Sequence, residues 1–224
     1  MRRTWKRRGV LLTTHDCIMS LELVIFDCDG VLFDSEHANV AFYQEVLRQC
    51  GEPPFSASDE AACHALASVQ LFEKFYGDRP EILQRLLAKA KEIDYAPFYP
   101  MMQPRHRLRE ILGELRLRYK TAMATNRGMT TQGVIAFFEL ADLFDLAVGV
   151  LDVPRPKPHP DMLEKCLTHF GVQARHAVYI GDQPSDQQSA VSAGIRFIGI
   201  GPMAERAELS IASLEDLPEL LSTL

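Results

Sequence analysis

The 224-residue chain predicts a doubly wound α/β fold, a parallel sheet with helices on both faces, carrying a small helical insertion. Three observations predict it. Strand-sized apolar runs recur, each ending in a loop or turn signal; helix-period segments fill the gaps between them; and one stretch, 37–96, breaks that rhythm with helical patterns alone.

The first apolar run is "LELVIF" (21–26), followed by "YKTAMA" (119–124), "FDLAVGV" (144–150), "HAVYIG" (176–181) and "IRFIGI" (195–200). Strands buried on both faces of a parallel sheet read as nearly continuous apolar runs, as these do. Between them, 105–118, 130–139, 160–170 and 185–193 carry helical periodicity, with Pro160 where a helix should begin and Gly171 and Gly194 where helices should stop. Within 37–96 the clearest helices are "NVAFYQEVLRQC" and "PEILQRLLAKAKEI". The proline-bearing segment 97–104 reads as the return linker, and 34–37 as the exit. The expected organisation is a core of 21–36 and 97–224 with an inserted helical cap at 37–96.

Residues 1–20 stand apart, with five Lys/Arg in the first eight positions and the single tryptophan, Trp5. Their apolar stretch is shorter than the ~7–15 residues of a signal-peptide core. They read as a disordered extension, or as the product of a start codon upstream of Met19, rather than as a basic arm for an acidic partner. A hydrophobic content of 47% with 24% charged residues suits a soluble globular protein, and no apolar run approaches the ~18–20 residues of a membrane span. A net charge of −6 argues against a general nucleic-acid binder. Five cysteines without a C-x-x-C pair fit neither a disulfide framework nor a zinc site, and point to a reducing, cytoplasmic setting. Cys28 alternates away from the face of its neighbours Asp27 and Asp29 and reads as a packing residue.

Ligands of open parallel sheets collect beyond the carboxyl ends of the strands. There the sequence puts Asp27 and Asp29 after the first strand, Thr125 and Asn126 after the second, Lys157 after the third, and Asp182 and Asp186 after the fourth. Four carboxylates brought to one rim repel unless a cation compensates them. Hard oxygen ligands without His or Cys indicate Mg²⁺ rather than zinc. Lys157 and the Thr125 hydroxyl, with backbone N–H groups of the neighbouring loops, suit a phosphoryl group. A carboxylate that attacks phosphorus would split hydrolysis into two easier displacements.

The segments "DCDGVLFDSE", "ATNR", "KPHP" and "GDQPSD" followed by "AVSAG" resemble, in order and spacing, the motifs of the haloacid dehalogenase-like (HAD) hydrolase superfamily, in particular its phosphoglycolate phosphatase-like branch. The resemblance spans the chain beyond residue 20 and implies a Rossmann-like core with a helical cap. It implies Asp27 as nucleophile and metal ligand, and Asp29 as the acid that protonates the leaving alcohol and then the base that activates water, its backbone carbonyl touching the metal. Thr125, Asn126 and Lys157 would bind phosphate. Asp182 would complete the metal ligands, with Asp186 acting on the metal directly or through water. The implied activity is Mg²⁺-dependent hydrolysis of a small phosphorylated metabolite. A phosphomutase needs a cationic lid, for which the six Lys/Arg against nine Asp/Glu in 37–96 offer little, and a non-catalytic binding module would not need the whole motif set. Arg127 reads equally as a substrate contact or a salt-bridge partner, Asp34 as a helix cap or a site-side contact, and His159 as a loop residue. Substrate and oligomeric state are not written in these motifs.

Overall fold

A computed structural model describes residues 21–224, apart from the side chains of residues 61, 64 and 65. The expectation for residues 1–20 lies outside the described residues.

Among those described, β1 (Leu23–Phe26), β4 (Lys120–Ala124), β5 (Leu146–Val148), β6 (Ala177–Gly181), β7 (Arg196–Gly199) and β8 (Leu209–Ser210) form a parallel sheet in the order β5-β4-β1-β6-β7-β8. The chain builds outward from β1 on one side, then crosses to build the other side. The strand order therefore reverses beside β1, at its border with β6, and a crevice opens there beyond the strand ends. In register, Ile25 lies between Ala122 and Tyr179, so Asp27, Thr125 and Asp182 leave adjacent strands at nearly the same height.

Side-chain alternation divides β1 between two cores. Val24 and Phe26 join Met123, Val178 and Ile180 beneath α5 (Leu108–Arg116) and α9 (Leu217–Leu221). Leu23 and Ile25 join Ala122 and Tyr179 beneath α7 (Asp161–Phe170) and α8 (Pro184–Ala193). Helix α6 (Thr131–Phe137) packs beside β5. Gly171 and Gly194 close α7 and α8 in left-handed conformation, where the sequence placed the stops.

The insertion contains α1 (Glu36–Cys50), α2 (Glu60–Ala65), α3 (Ser68–Tyr76) and α4 (Pro80–Glu92). Ala38, Phe42, Tyr43, Val46 and Leu47 recur at helical spacing along α1 and are buried, and α4 adds the fully buried Leu86. Phe42 and Tyr43 meet Tyr95 and Phe72 ring against ring. The two chain crossings into and out of this unit pair with each other: β2 (Phe33–Asp34) runs antiparallel to β3 (Gln103–Pro104). The sequence reading missed this ribbon, and it missed β8, because each strand is only two residues long and carries no readable alternation. Asp34 lies exposed on the ribbon and neither caps α1 nor reaches the site; Ser35 holds the cap position.

Candidate active site

Asp27, Thr125 and Asp182 each stand one step beyond a buried strand, where the backbone leaves the ladder, while Lys157 comes from the loop after β5 and Asp186 from the first turn of α8. After β1, the Asp27 backbone N–H still donates to the Ile180 carbonyl, and the Cys28 N–H donates to Asp27 Oδ1 at 2.7 Å. Cys28 itself is buried in the hydrophobic core, and burial raises its thiol pKa well above the usual range, which leaves it a packing group. The chain then turns sharply at Gly30, whose φ is +75°. A Cβ there would stand 2.1 Å from Asp182 Oδ2, so both the left-handed conformation and the close approach of Asp182 require glycine.

The Asp27, Asp182 and Asp186 carboxylates are buried and offer oxygen atoms lying within 4.8 Å of one another. One cation penetrates the cluster. Lys157 Nζ lies 2.9 Å from Asp27 Oδ1 and 2.7 Å from Asp186 Oδ1, and it donates to the Tyr179 hydroxyl at 2.9 Å. That hydroxyl has one proton to donate and two acceptors in reach of it, Asp186 Oδ1 at 3.0 Å and the Ala124 carbonyl at 3.1 Å. Asp186 Oδ2 accepts the backbone N–H groups of Asp182 and Gln183, so both Asp186 oxygens are engaged by the protein. Burial, followed by the nearby carboxylates of Asp186, Asp182 and Asp29, pushes Asp27 up to about 8 against the opposing pull of Lys157. The same two carboxylate partners outweigh burial at Lys157 and raise its pKa, so it remains an ammonium ion.

Three buried carboxylates against one lysine leave a deficit of positive charge. The donor set is entirely hard oxygen from buried carboxylates, which fits a small divalent cation of the Mg²⁺ type and not a soft-ligand metal.

Asp29 occupies a separate compartment. Its carboxylate receives a two-pronged contact from Arg127, Nε to Oδ2 at 2.8 Å and Nη2 to Oδ1 at 2.6 Å, together with the Ser35 hydroxyl and Asn39 Nδ2 at 3.2 Å. Arg127 is buried; it also donates to Asn39 Oδ1 and stacks its guanidinium over the Tyr95 ring. Of the two readings of Arg127, the structure therefore shows the salt bridge. Ser35 points its hydroxyl at Asp29 and leaves the first turn of α1 without a side-chain cap.

Thr125 is buried at the end of β4, its hydroxyl accepting the Arg127 N–H. The Asn126 amide spans to the Lys157 backbone, accepting its N–H at 3.0 Å and donating to its carbonyl at 3.4 Å. It thus fixes the loop that delivers Lys157 while also lining the crevice. His159 is exposed and touches none of these groups with its ring. Sequence reasoning missed Ser35, Asn39, Tyr95 and Tyr179. Only Tyr179, a hydroxyl inside an otherwise apolar strand, left a signal that could have been read.

Clustered carboxylates, a buried lysine and a threonine at the switch point of a doubly wound sheet suit an enzyme of the phosphate-handling α/β class. The haloacid dehalogenase-like hydrolase family profile matches residues 24–200, and the chain belongs to that family. Among solved structures it is similar to a HAD-superfamily hydrolase of subfamily IA from Geobacter sulfurreducens, at 32% identity with a TM-score of 0.70, over 90% of this chain and 96% of that one. Among relatives it is similar to pyrophosphatase PpaX of Halalkalibacterium halodurans, 22% identical over 82% of this chain and 85% of that protein. It also resembles a phosphoglycolate phosphatase of Rhodobacter capsulatus, 28% identical over 78% and 82%.

Proposed function

We propose that the protein is a Mg²⁺-dependent phosphatase that hydrolyses a small phosphate monoester through an aspartyl-phosphate. The carrying observation is the convergence of Asp27, Asp182 and Asp186 with Lys157 buried among them. Asp27 and Asp182, with the Asp29 carbonyl, would hold the Mg²⁺, which when bound offsets the negative charge gathered on carboxylates and phosphate. Asp186 contributes mainly by fixing Lys157 and the Asp182 backbone, since its own oxygens are engaged.

An Asp27 carboxylate oxygen attacks phosphorus as the bond to the leaving alcohol breaks, and Asp29 gives that alcohol its proton. Asp29, now a carboxylate, then takes a proton from water as the water oxygen attacks the same phosphorus and the bond to Asp27 breaks, releasing inorganic phosphate. Lys157, the Thr125 hydroxyl and neighbouring backbone N–H groups hold the phosphoryl oxygens, with Asn126 keeping Lys157 in place. Arg127 favours the carboxylate form of Asp29, the form that the second step uses. The cap helices close over this chemistry and exclude bulk water.

Asp27→Asn preserves shape while removing the nucleophile. It is expected to abolish release of phosphate from an aryl phosphate without lowering the thermal midpoint, and undiminished turnover refutes the scheme.

A further inference from the structure

Between the rim and the cap lies a cavity of about 430 Å³, which contains the Asp27–Lys157 cluster at one end. It is also lined by Phe42 of α1, Leu66 and Val69 at the α2–α3 junction and Leu87 of α4, and by Met129 and Leu151 of the core. Val69, Met129 and Leu151 are 50%, 69% and 68% exposed, and are three of the seven exposed large apolar side chains among the described residues. Apolar surface left open around a site is the usual mark of a ligand that covers it.

The buried charge in this lining is already spoken for. Arg127, a buried lining cation, is held by Asp29 through two hydrogen bonds. Among the described lining residues the remaining cations are Lys157, engaged by Asp27 and Asp186, and Lys91, which is exposed at the last turn of α4. The polar atoms that remain are neutral: the Tyr43 hydroxyl is paired with Ser68 at 3.0 Å, and burial pushes the Tyr43 phenol and the Cys63 thiol both up to about 12. A second anionic group, such as a carboxylate or another phosphoryl, would surrender its water here without a buried cation to receive it.

We infer that the substrate is a monoester of an uncharged, predominantly apolar alcohol, whose hydrocarbon lies against Phe42, Leu66, Val69, Leu87, Met129 and Leu151 while its phosphate occupies the acidic rim. This rests on the phosphatase reading and narrows it. It separates the chain from the substrates in the names of its pyrophosphatase and phosphoglycolate phosphatase relatives.

The test uses the full chain with Mg²⁺ and a series of methyl, butyl and hexyl phosphates, set beside pyrophosphate and 2-phosphoglycolate. The expected kcat/KM rises on the order of three-fold per added methylene as far as butyl, and both competitors, each with a second anionic group, fall below butyl phosphate. Val69→Lys, at a half-exposed position, is expected to flatten the series and raise 2-phosphoglycolate relative to butyl phosphate. A flat wild-type series, an unchanged series in Val69→Lys, or preferred turnover of either anionic competitor overturns the inference and leaves the phosphatase standing. Equilibrium binding of the same esters to Asp27→Asn separates the remaining case. Affinity that climbs with chain length without turnover in the wild type keeps the apolar wall and removes the phosphatase, whereas no climb removes the wall.

Discussion

The two aspartates at 27 and 29 differ in what surrounds them, although one residue separates them. Asp27 faces a lysine shared with Asp186, whereas Asp29 faces an arginine fixed by Asn39 and Tyr95. Arg127→Gln removes the guanidinium but leaves the Asp29 carboxylate in place. Breaking a buried pair on one side typically costs about 3–5 kcal/mol, so a drop in the denaturant midpoint with m unchanged is expected. Because the role proposed for Asp29 is toward the leaving alcohol and water rather than phosphate binding, kcat is expected to fall more than KM rises, and a change confined to KM would contradict that role. The acidic residues were legible in the sequence because each follows an apolar run at a strand end. The partnership of Asp29 with Arg127 was not, since it joins residues 98 positions apart and depends on how α1 docks.

At the scale of elements, the cap is held by one compact set of side chains. Leu86 on α4 is fully buried and lies in the same hydrophobic cluster as Leu47, Leu71 and Phe72. Leu86→Ala is expected to destabilise the protein by about 2–5 kcal/mol, measured by denaturant unfolding, while turnover per folded molecule changes little because Leu86 is not among the cavity-lining residues. Most strands and the helices with glycine stops could be read from the chain, since long apolar runs and left-handed caps have local causes. The β2–β3 ribbon could not, as Pro104 and Asp34 argue locally against a strand and only pairing makes them one. The same difficulty hid the cap's inner face: an amphipathic pattern says which side is apolar, but not whether a neighbouring helix or a ligand covers it.

At the scale of the whole molecule, the larger hydrophobic cluster runs without a break from Phe26 in the sheet to Leu71 and Leu86 in the cap. Coincident unfolding of core and cap is therefore expected, seen as a single transition by both circular dichroism and tyrosine fluorescence. Mg²⁺ in hundred-fold excess over its dissociation constant should raise stability by ~2.7 kcal/mol, and Asp182→Asn should erase that rise; an equal rise in the variant would place the ion elsewhere. Among the described residues no helix is long and apolar enough to cross a membrane. The paired crossings reach further than their four residues suggest, because Arg105, just past β3, binds the Leu32 carbonyl through its N–H and the Gly30 carbonyl through Nη2 at 2.7 Å. A cover tethered by two independent strings could skew sideways as it lifted; one tethered by a zipped tape bends about a single crease. Any bending at that crease is therefore expected to pull on the Gly30 turn that follows Asp27, the proposed nucleophile.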